Sequence, residues 1–287
     1  MANIFRAFLI VLVAYCSVGQ AAEIDIHQTA AFDIAGAPID VAVSSDGKSV
    51  YVLTEVGDIL LYSPDGQLKG RVHAGDQVDF LAAGHSENQL FIGSTGSKTL
   101  RAISLEFTYE IDTSGAPFQG LVDAPVTIVV FMDYQCPYCA HLKPLLEKVL
   151  SNYSGQVKIV YKQFPLKMHK AALTAATAAL VAFDGGKFEA LHNLMEADYN
   201  TLDNEKILDK VSSLGFDRED FQRKMADSNV LKRIQKDIED GRQAGVSGIP
   251  SVFINGRRLQ KRTLEGFQDL IDQVLEKLRH TQAAGGF

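Results

Sequence analysis

The chain has 287 residues, 46% of them apolar and 22% charged, a composition that excludes a disordered polypeptide. At this length two domains are expected rather than one hydrophobic core. The formal charge is −7, and acidic residues concentrate in 22–116, where the net charge is −9. The sequence has no basic cluster that would predict nucleic-acid binding, and no apolar segment beyond the N-terminus that would predict a membrane span.

The N-terminus carries an apolar run that starts after Arg6 and is far shorter than the roughly 20 residues of a spanning helix. Small residues follow, with Gly19 and Ala21 suitably placed before a cut after Ala21. This pattern predicts a secretory signal peptide over 1–21 and a periplasmic or otherwise exported mature protein. An uncleaved N-terminal anchor is the alternative.

Cleavage would also remove Cys16 and leave Cys136 and Cys139 as the last two of three cysteines. An exported protein meets an oxidising compartment, where an unpaired thiol is a liability, so an even count is expected. A bridge across two intervening residues closes a very short loop and restricts the unfolded chain little. The pair is therefore predicted to be chemically active rather than a structural staple.

Residues 22–116 alternate short apolar runs with turn residues, which predicts an all-β domain. The runs IDVAV, SVYVLTE and DILLYS are typical of strands. Between and after them, Asp46-Gly47 and Asp65-Gly66 favour tight turns, because glycine accepts a positive φ without steric cost.

The β-rich region repeats with a period near 40 residues. FDI at 32–34 recurs as RVH at 71–73 and as YEI at 109–111. Four short strands per unit of this length are typical of β-propeller blades. The stretch from Pro38 to Gly66 resembles a blade of the NHL or YVTN type, and the second copy is degenerate.

Two such repeats are too few for a closed propeller, which usually has four to eight blades. One hypothesis is that 22–116 forms an oligomerisation module, with three chains supplying six blades to a homotrimer. The alternative is a monomeric spacer domain that hides its apolar faces in a small sandwich.

The remainder, 117–287, alternates strands and helices after a Gly- and Pro-containing joint at 114–125, which predicts an α/β layer arrangement. A buried strand, a helix and a second strand come first. Amphipathic helices then form an insertion over 168–244. A strand leading into an Asn255-Gly256 turn and a closing amphipathic helix complete the order.

Cys136 falls where the buried strand gives way to the helix, and a helix N-terminus lowers a thiol pKa. Its sulfur can accept otherwise unpaired N–H groups there, near the positive end of the helix dipole. Pro137 is well tolerated at the first helical position. Cys139, one turn later, can attack a mixed disulfide at Cys136. Cys136 is thus the predicted nucleophile and Cys139 the predicted resolving thiol.

Zinc is the main chemical alternative for a closely spaced cysteine pair. A structural zinc site needs four ligands, commonly two such pairs or one pair with closely spaced histidines. No second pair exists, and His169 and His192 show no matching spacing. We expect no metal, and no cofactor beyond a redox-active Cys136–Cys139 disulfide.

Two stretches carry a family resemblance. DAPVTIVVFMDYQCPYC, residues 123–139, resembles the active-site strand and helix of DsbA-like thioredoxin-fold proteins. GVSGIPSVFINGRRL, residues 245–259, resembles the second hallmark of that family. The resemblance covers about 117–280 and implies a thioredoxin fold with a helical insertion.

The resemblance also implies roles for single residues. In that family the proline matching Pro250 is cis and lies beside the cysteines, and an X-Pro bond is where a cis peptide costs least. The residue matching Ile249 offers backbone groups to an extended substrate. Pro137 and Tyr138 complete the CPYC motif as active-site support.

The sequence departs from the family pattern below the cysteines. Apolar Val130 stands where many DsbA and thioredoxin proteins have a buried acid. Asp133, three residues before Cys136, is instead similar to the isomerase-like DsbC and DsbG branch. Asp133 and Lys162 are candidates for proton transfer or for tuning the cysteines, and a solvated strand-end position is the alternative for Lys162.

The resemblance implies thiol–disulfide exchange with cysteine-containing exported proteins, together with a membrane or periplasmic redox partner. The extra β domain and Asp133 favour a disulfide isomerase or reductase, and a DsbA-type dithiol oxidase is the alternative. In a hypothesis of another class, the β domain binds a partner protein and the thioredoxin-like domain is a redox-linked attachment.

Overall fold

The computed structural model describes residues 25–86 and 88–284, which form two compact units. The first unit extends to Leu105 and the second begins at Glu106. The predicted signal peptide, with Cys16, lies outside the described residues. Within the described ranges, no helix combines the length and the hydropathy that crossing a membrane requires.

The first unit is all-β, as predicted, and contains two antiparallel sheets. Its described strands are β1 (Pro38–Val43), β2 (Val50–Thr54), β3 (Asp58–Tyr62), β4 (Leu68–His73), β5 (Phe80–Ala83), β6 (Gln89–Ser94) and β7 (Thr99–Ser104). Strands β1 to β4 form one sheet in chain order, and β5 to β7 form the other. Gly47 and Gly66 have φ values of 71° and 87°, as the predicted Asp-Gly turns require.

The second sheet lacks the fourth strand that the repeat predicts at 109–111. Thr108 instead forms a β-bridge with Arg257, and the Tyr109 N–H donates to the Gly256 carbonyl at 2.9 Å. Gly256 has a φ of 79°, and a Cβ there would lie 2.3 Å from the Tyr109 carbonyl oxygen. The second unit therefore takes up this segment, because only glycine permits so close a backbone approach.

The joint expected at 114–125 also belongs to the second unit. Strand β8 (Phe118–Gly120) lies within it and pairs antiparallel with β10 (Val157–Gln163). The chain consequently divides between Leu105 and Glu106, earlier than the expected boundary between 116 and 117.

The second unit is built on a five-stranded sheet in the order β12-β11-β9-β10-β8. Its other strands are β9 (Val126–Met132), β11 (Ser251–Ile254) and β12 (Arg257–Arg258). The central strand β9 runs parallel to β10 and antiparallel to β11. Because β9 is covered on both faces, its sequence VTIVVFM is a continuous apolar run rather than an alternating one.

Helices follow the strands in the predicted order. They are α1 (Pro137–Asn152), α2 (Ala172–Asp184), α3 (Phe188–Ala197), α4 (Asn204–Ser213), α5 (Arg218–Met225), α6 (Ser228–Gln243) and α7 (Leu264–Ala284). Helices α2 to α6 correspond to the predicted insertion. Val130 belongs to a large core cluster that also contains Cys136 and Cys139, whereas Phe131 belongs to a smaller one. Neighbouring residues of β9 thus face opposite sides of the sheet.

Candidate active site

A four-residue loop, 133–136, connects the end of β9 to the start of α1. The Cys136 N–H donates to the Asp133 carbonyl at 3.1 Å and closes this loop. Cys136 is the N-cap residue of α1, and Pro137 occupies the first helical position, where the N–H it lacks has no helical partner. Cys139 follows one turn later in the same helix.

The two cysteine side chains are free thiols, and both residues are only 4% exposed. The pKa of Cys136 is lowered to about 6, first by the hydrogen bond from the Cys139 thiol and then by the N–H groups of Cys139 and Tyr138. The same hydrogen bond, together with burial, raises the pKa of Cys139 far above its ordinary value. At neutral pH Cys136 is therefore the thiolate and Cys139 the neutral donor, as the nucleophile and resolving roles require.

Cys136 should react with iodoacetamide at a half-maximal rate near pH 6. Its lowered pKa keeps the thiolate populated above that pH, and reactivity falls about tenfold for each pH unit below it. Alkylation rates followed by mass spectrometry from pH 4 to 10 test this, with the urea-unfolded protein as control, where the midpoint moves to about 8.5. A folded-state midpoint of 8 or above contradicts the assignment.

The peptide bond between Ile249 and Pro250 is cis, as the resemblance implies. Pro250 directly precedes β11, whose first residue, Ser251, pairs with Phe131 near the end of β9. Because β11 runs antiparallel to β9, Pro250 lies at the sheet edge from which the Cys136 loop emerges. Ile249 is half-buried and packs against the core cluster that contains both cysteines.

Asp133, the first residue of the loop 133–136, is buried, and its carboxylate accepts three hydrogen bonds. The Gln135 N–H donates to one oxygen at 2.8 Å, whereas the Leu166 N–H and the His169 ring nitrogen Nδ1 lie 2.8 Å from the other. The carboxylate thus joins the cysteine loop to the loop between β10 and α2. Its charge raises the pKa of both cysteines, which supports the predicted tuning role.

Gln135 makes a second connection between these loops. Its side-chain oxygen accepts the Ala171 N–H at 2.6 Å, and its amide nitrogen donates to the Leu202 carbonyl at 2.9 Å. The sequence gives no local signal for the roles of Gln135 and His169, because their side-chain partners are more than 30 residues away in the chain.

Lys162 lies near the end of β10, but the solvated position considered for it is wrong, because its side chain is buried. Its ammonium lies 2.6 Å from an Asp237 oxygen and 2.9 Å from an Asp240 oxygen of α6, and donates to the Asp112 carbonyl. Lys162 pairs in register with Phe131, so it lies on the sheet side opposite the cysteine cluster. The structure therefore gives it an ion-pairing role rather than one in proton transfer.

A series of buried polar side chains, not predicted from the sequence, begins at Tyr134 of the cysteine loop. The Tyr134 hydroxyl is 2.9 Å from His192 Nδ1, and His192 Nε2 is 3.3 Å from a Glu196 carboxylate oxygen. Burial raises the pKa of Tyr134 well above 10, so the phenol stays neutral. The i, i+4 spacing of His192 and Glu196 on amphipathic α3 is a pattern that could have indicated this pair.

Two apolar side chains, one within the CPYC motif and one on the loop between β10 and α2, are open to solvent. Tyr138, inside the CPYC motif, is 73% exposed, and Met168 is 80% exposed. Met168 belongs to the loop that Asp133 joins to the cysteine loop, because it lies between Leu166 and His169. In the described part of the chain, no group of three or more His, Cys, Asp or Glu side chains could hold a metal ion.

The sheet order, the cis Ile249–Pro250 bond and the cysteine pair at the start of α1 define a thioredoxin fold. The family model described as thioredoxin matches residues 112–273, more than half of the chain, and the chain belongs to that family.

Solved structures agree with this assignment. A thioredoxin-like oxidoreductase from Silicibacter pomeroyi is 26% identical with a TM-score of 0.51, over 57% of this chain and 94% of that one. The catalytic domain of Proteus mirabilis ScsC is 28% identical with a TM-score of 0.50, over 57% of this chain and 90% of that domain. The thiol-disulfide exchange protein α-DsbA2 from Wolbachia pipientis is 25% identical with a TM-score of 0.50, over 56% and 88% respectively.

Among curated proteins, the Na(+)/H(+) antiporter NhaA 1 of Salinispora arenicola is 32% identical over 155 residues. The match covers 54% of this chain and 24% of the antiporter. The chain thus spans about a quarter of the length of the curated relatives it matches.

Proposed function

We propose that this chain is an exported thiol–disulfide oxidoreductase that reshuffles or reduces disulfides in exported proteins. The observation that carries the proposal is the cysteine pair itself, with a Cys136 pKa of about 6 beside a neutral Cys139 at the start of α1. Export rests on the predicted signal peptide. A membrane or periplasmic protein is then needed to restore the redox state of the pair after each net reaction.

The exchange begins when the Cys136 thiolate attacks one sulfur of a substrate disulfide. A mixed disulfide forms, and the other substrate sulfur leaves as a thiolate. For isomerisation, that thiolate or another substrate thiolate attacks a different sulfur and finally releases Cys136 unchanged, with no net transfer of electrons. For reduction, Cys139 loses its proton and attacks Cys136, which releases the second substrate thiol and leaves the enzyme pair oxidised.

The electrostatics of the pair support isomerase or reductase activity. The Cys136 pKa of about 6 lies between the values of about 3.5 and 7 typical of DsbA and thioredoxin. A less stabilised thiolate makes the disulfide a weaker oxidant. The Asp133 carboxylate also makes the disulfide a weaker oxidant, because its negative charge raises the Cys136 pKa.

A dithiol oxidase is the second candidate. The Cys136 pKa is still lowered from 9.0, so the reduced form is favoured over that of an ordinary dithiol, which is the property a disulfide donor needs.

The redox potential of the Cys136–Cys139 pair, combined with refolding of scrambled ribonuclease, separates the two candidates. For an isomerase we expect a potential near the roughly −180 mV of protein disulfide isomerase and recovery of ribonuclease activity. A potential near −120 mV, with oxidation of reduced ribonuclease but no reshuffling, would instead assign an oxidase. The Cys136→Ser variant is the control, and equal activity in that variant would overturn both.

Substitution of Met168 by aspartate should weaken protein substrates selectively. The exposed side chain lies on a loop joined to the cysteine loop, and losing its apolar contact costs about 1.5 kcal/mol, or about tenfold in KM. The rate with glutathione disulfide should not change, because so small a substrate needs only the sulfur atoms.

The matched control for Met168→Asp is Leu121→Asp, at a residue 62% exposed and before the start of β9, at the far end of the strand from the cysteines. Steady-state kinetics with both substrates test the prediction. An equal loss for glutathione disulfide and protein substrates would exclude a substrate-binding role for Met168.

A further inference from the structure

The first unit has two sheets, and each sheet has two faces. Residues paired in register share a face, so Tyr51 lies beside Leu61, and Leu81 lies beside Ile92. These faces are here called the inner faces, and the four side chains just named are at most 7% exposed. The Leu81 N–H of β5 donates to the Asp40 carboxylate of β1 at 2.7 Å. The inner faces therefore cover each other.

The opposite face of the four-stranded sheet is here called the front face. It contains Val41 and Val43 of β1 and Val52 and Leu60 of β2 and β3. Phe32 and Ile34 pack on Val52 and Leu60. Val41 and Val43 are left 60% and 53% exposed. The β1 part of the front face is thus open and apolar, as at an interaction site.

The opposite face of the three-stranded sheet is here called the back face. Phe80 lies opposite Gly93, Phe91 lies opposite Ala102, and Leu100 continues the face on β7. Leu100 is 64% exposed. Among the described residues, each of the two sheets therefore has exposed apolar side chains on its outer face.

The two repeats also differ in their outer strands. The three-stranded sheet lacks its outer strand, because the second unit takes up 109–111. Residues 32–34, by contrast, are the repeat counterpart of 71–73 in outer strand β4, yet they belong to no described strand. The three-stranded sheet thus lacks an outer strand, and residues 32–34 form an outer-strand segment that has no sheet to join.

We propose that the first unit assembles head to tail with further copies of the same chain. Residues 32–34 of one copy pair with β7 of another, and the back face of that second copy covers the front face of the first. Three copies then supply six sheets, within the range of closed propellers. This inference is independent of the proposed redox function.

We assign the front face to a second copy of the chain, because the two inner faces of one chain already make the same kind of contact. The inner face of the four-stranded sheet corresponds in the repeat to the back face of the three-stranded sheet. The inner face of the three-stranded sheet likewise corresponds to the front face of the four-stranded sheet. The contact between copies therefore repeats the contact within the chain. Two different surfaces meet, so the interface is heterologous, and three copies form a ring when each contact turns the chain by about a third of a full rotation.

Molar mass by light scattering tests the assembly, and Val41→Asp and Leu100→Asp each disable one face. We expect about three chain masses for the wild-type protein and one for either variant, with unchanged circular dichroism and glutathione-disulfide reduction. Val122→Asp, at a valine 61% exposed in the second unit, is the matched control and should keep the wild-type mass. A single-chain mass for the wild type, or for the control as well, overturns the proposal.

Mixing the two variants tests the head-to-tail order. Leu100→Asp retains an intact front face and Val41→Asp an intact back face, so an equimolar mixture should form one-to-one dimers and nothing larger. A mixture that stays monomeric contradicts this order, because an interface between identical faces predicts no rescue.

Asp33→Pro tests the strand exchange separately. Proline cannot donate to a strand ladder, and residue 33 lies outside the described strands, so the monomer should fold normally. We expect a single-chain mass or a concentration-dependent trimer. A trimer as stable as the wild type removes 32–34 from the interface.

Discussion

Replacement of Cys136 by serine should reduce disulfide exchange to the uncatalysed rate, whereas replacement of Cys139 by serine should trap the protein as mixed disulfides with its substrates. The difference follows from the charge distribution: Cys136 is the thiolate at neutral pH and Cys139 is the neutral thiol that releases the substrate. Without Cys136 only the Cys139 thiol of the pair remains, and its burial opposes ionisation and attack. Without Cys139 the first step proceeds, but intramolecular release does not.

Non-reducing gel electrophoresis of extracts from cells that produce each variant, followed by mass spectrometry of the adducts, measures both outcomes. Adducts should be abundant with Cys139→Ser, absent with Cys136→Ser and abolished in the double variant. Abundant adducts with Cys136→Ser would reverse the two assignments. The captured proteins would also identify the natural substrates.

Replacement of Lys162 by methionine should lower the free energy of unfolding of the second unit by about 3–5 kcal/mol. The ammonium is buried between Asp237 and Asp240, and its removal leaves a desolvated carboxylate without a counter-ion. Burial already raises the pKa of Asp237, so this carboxyl takes up a proton more readily than an ordinary one. The loss should therefore shrink as the pH falls, because a neutral Asp237 needs no cation.

Urea unfolding at pH 7.5 and pH 5 tests the Lys162 prediction. Lys236→Met is the matched control: this lysine also contacts Asp240 but is half exposed, and its loss should cost at most about 1 kcal/mol. The double variant Lys162→Met, Asp237→Leu should recover part of the stability. Equal losses for Lys162→Met and Lys236→Met would contradict the burial argument.

Local patterns in the sequence were enough to predict the strand, loop and helix that carry the cysteines. The apolar run of β9, the position of Cys136 and Pro137, and the amphipathic helices are signals within a few residues of one another. The Ile249–Pro250 cis bond followed from the resemblance, and it stands where an X-Pro bond makes a cis peptide least costly.

Contacts between distant segments could not be predicted in the same way. Lys162 was placed in solvent as an alternative because its carboxylate partners lie more than 70 residues further on, in α6. The three hydrogen bonds of Asp133 depend on how two loops meet. The expected fourth strand at 109–111 failed because Gly256 offered its backbone a competing partner. In each case tertiary packing, not local propensity, decides the outcome.

The burial of Cys139 also affects how the protein withstands oxidative damage. A peroxide reacts with thiolates, so it attacks Cys136 and converts it to a sulfenic acid. The neutral thiol of Cys139, already hydrogen-bonded to that sulfur, then condenses with the sulfenic acid to form the disulfide and release water. The product is also the oxidised state of the proposed exchange reaction. The pair thereby returns a first oxidation event to a reducible form before irreversible sulfinic acid can accumulate.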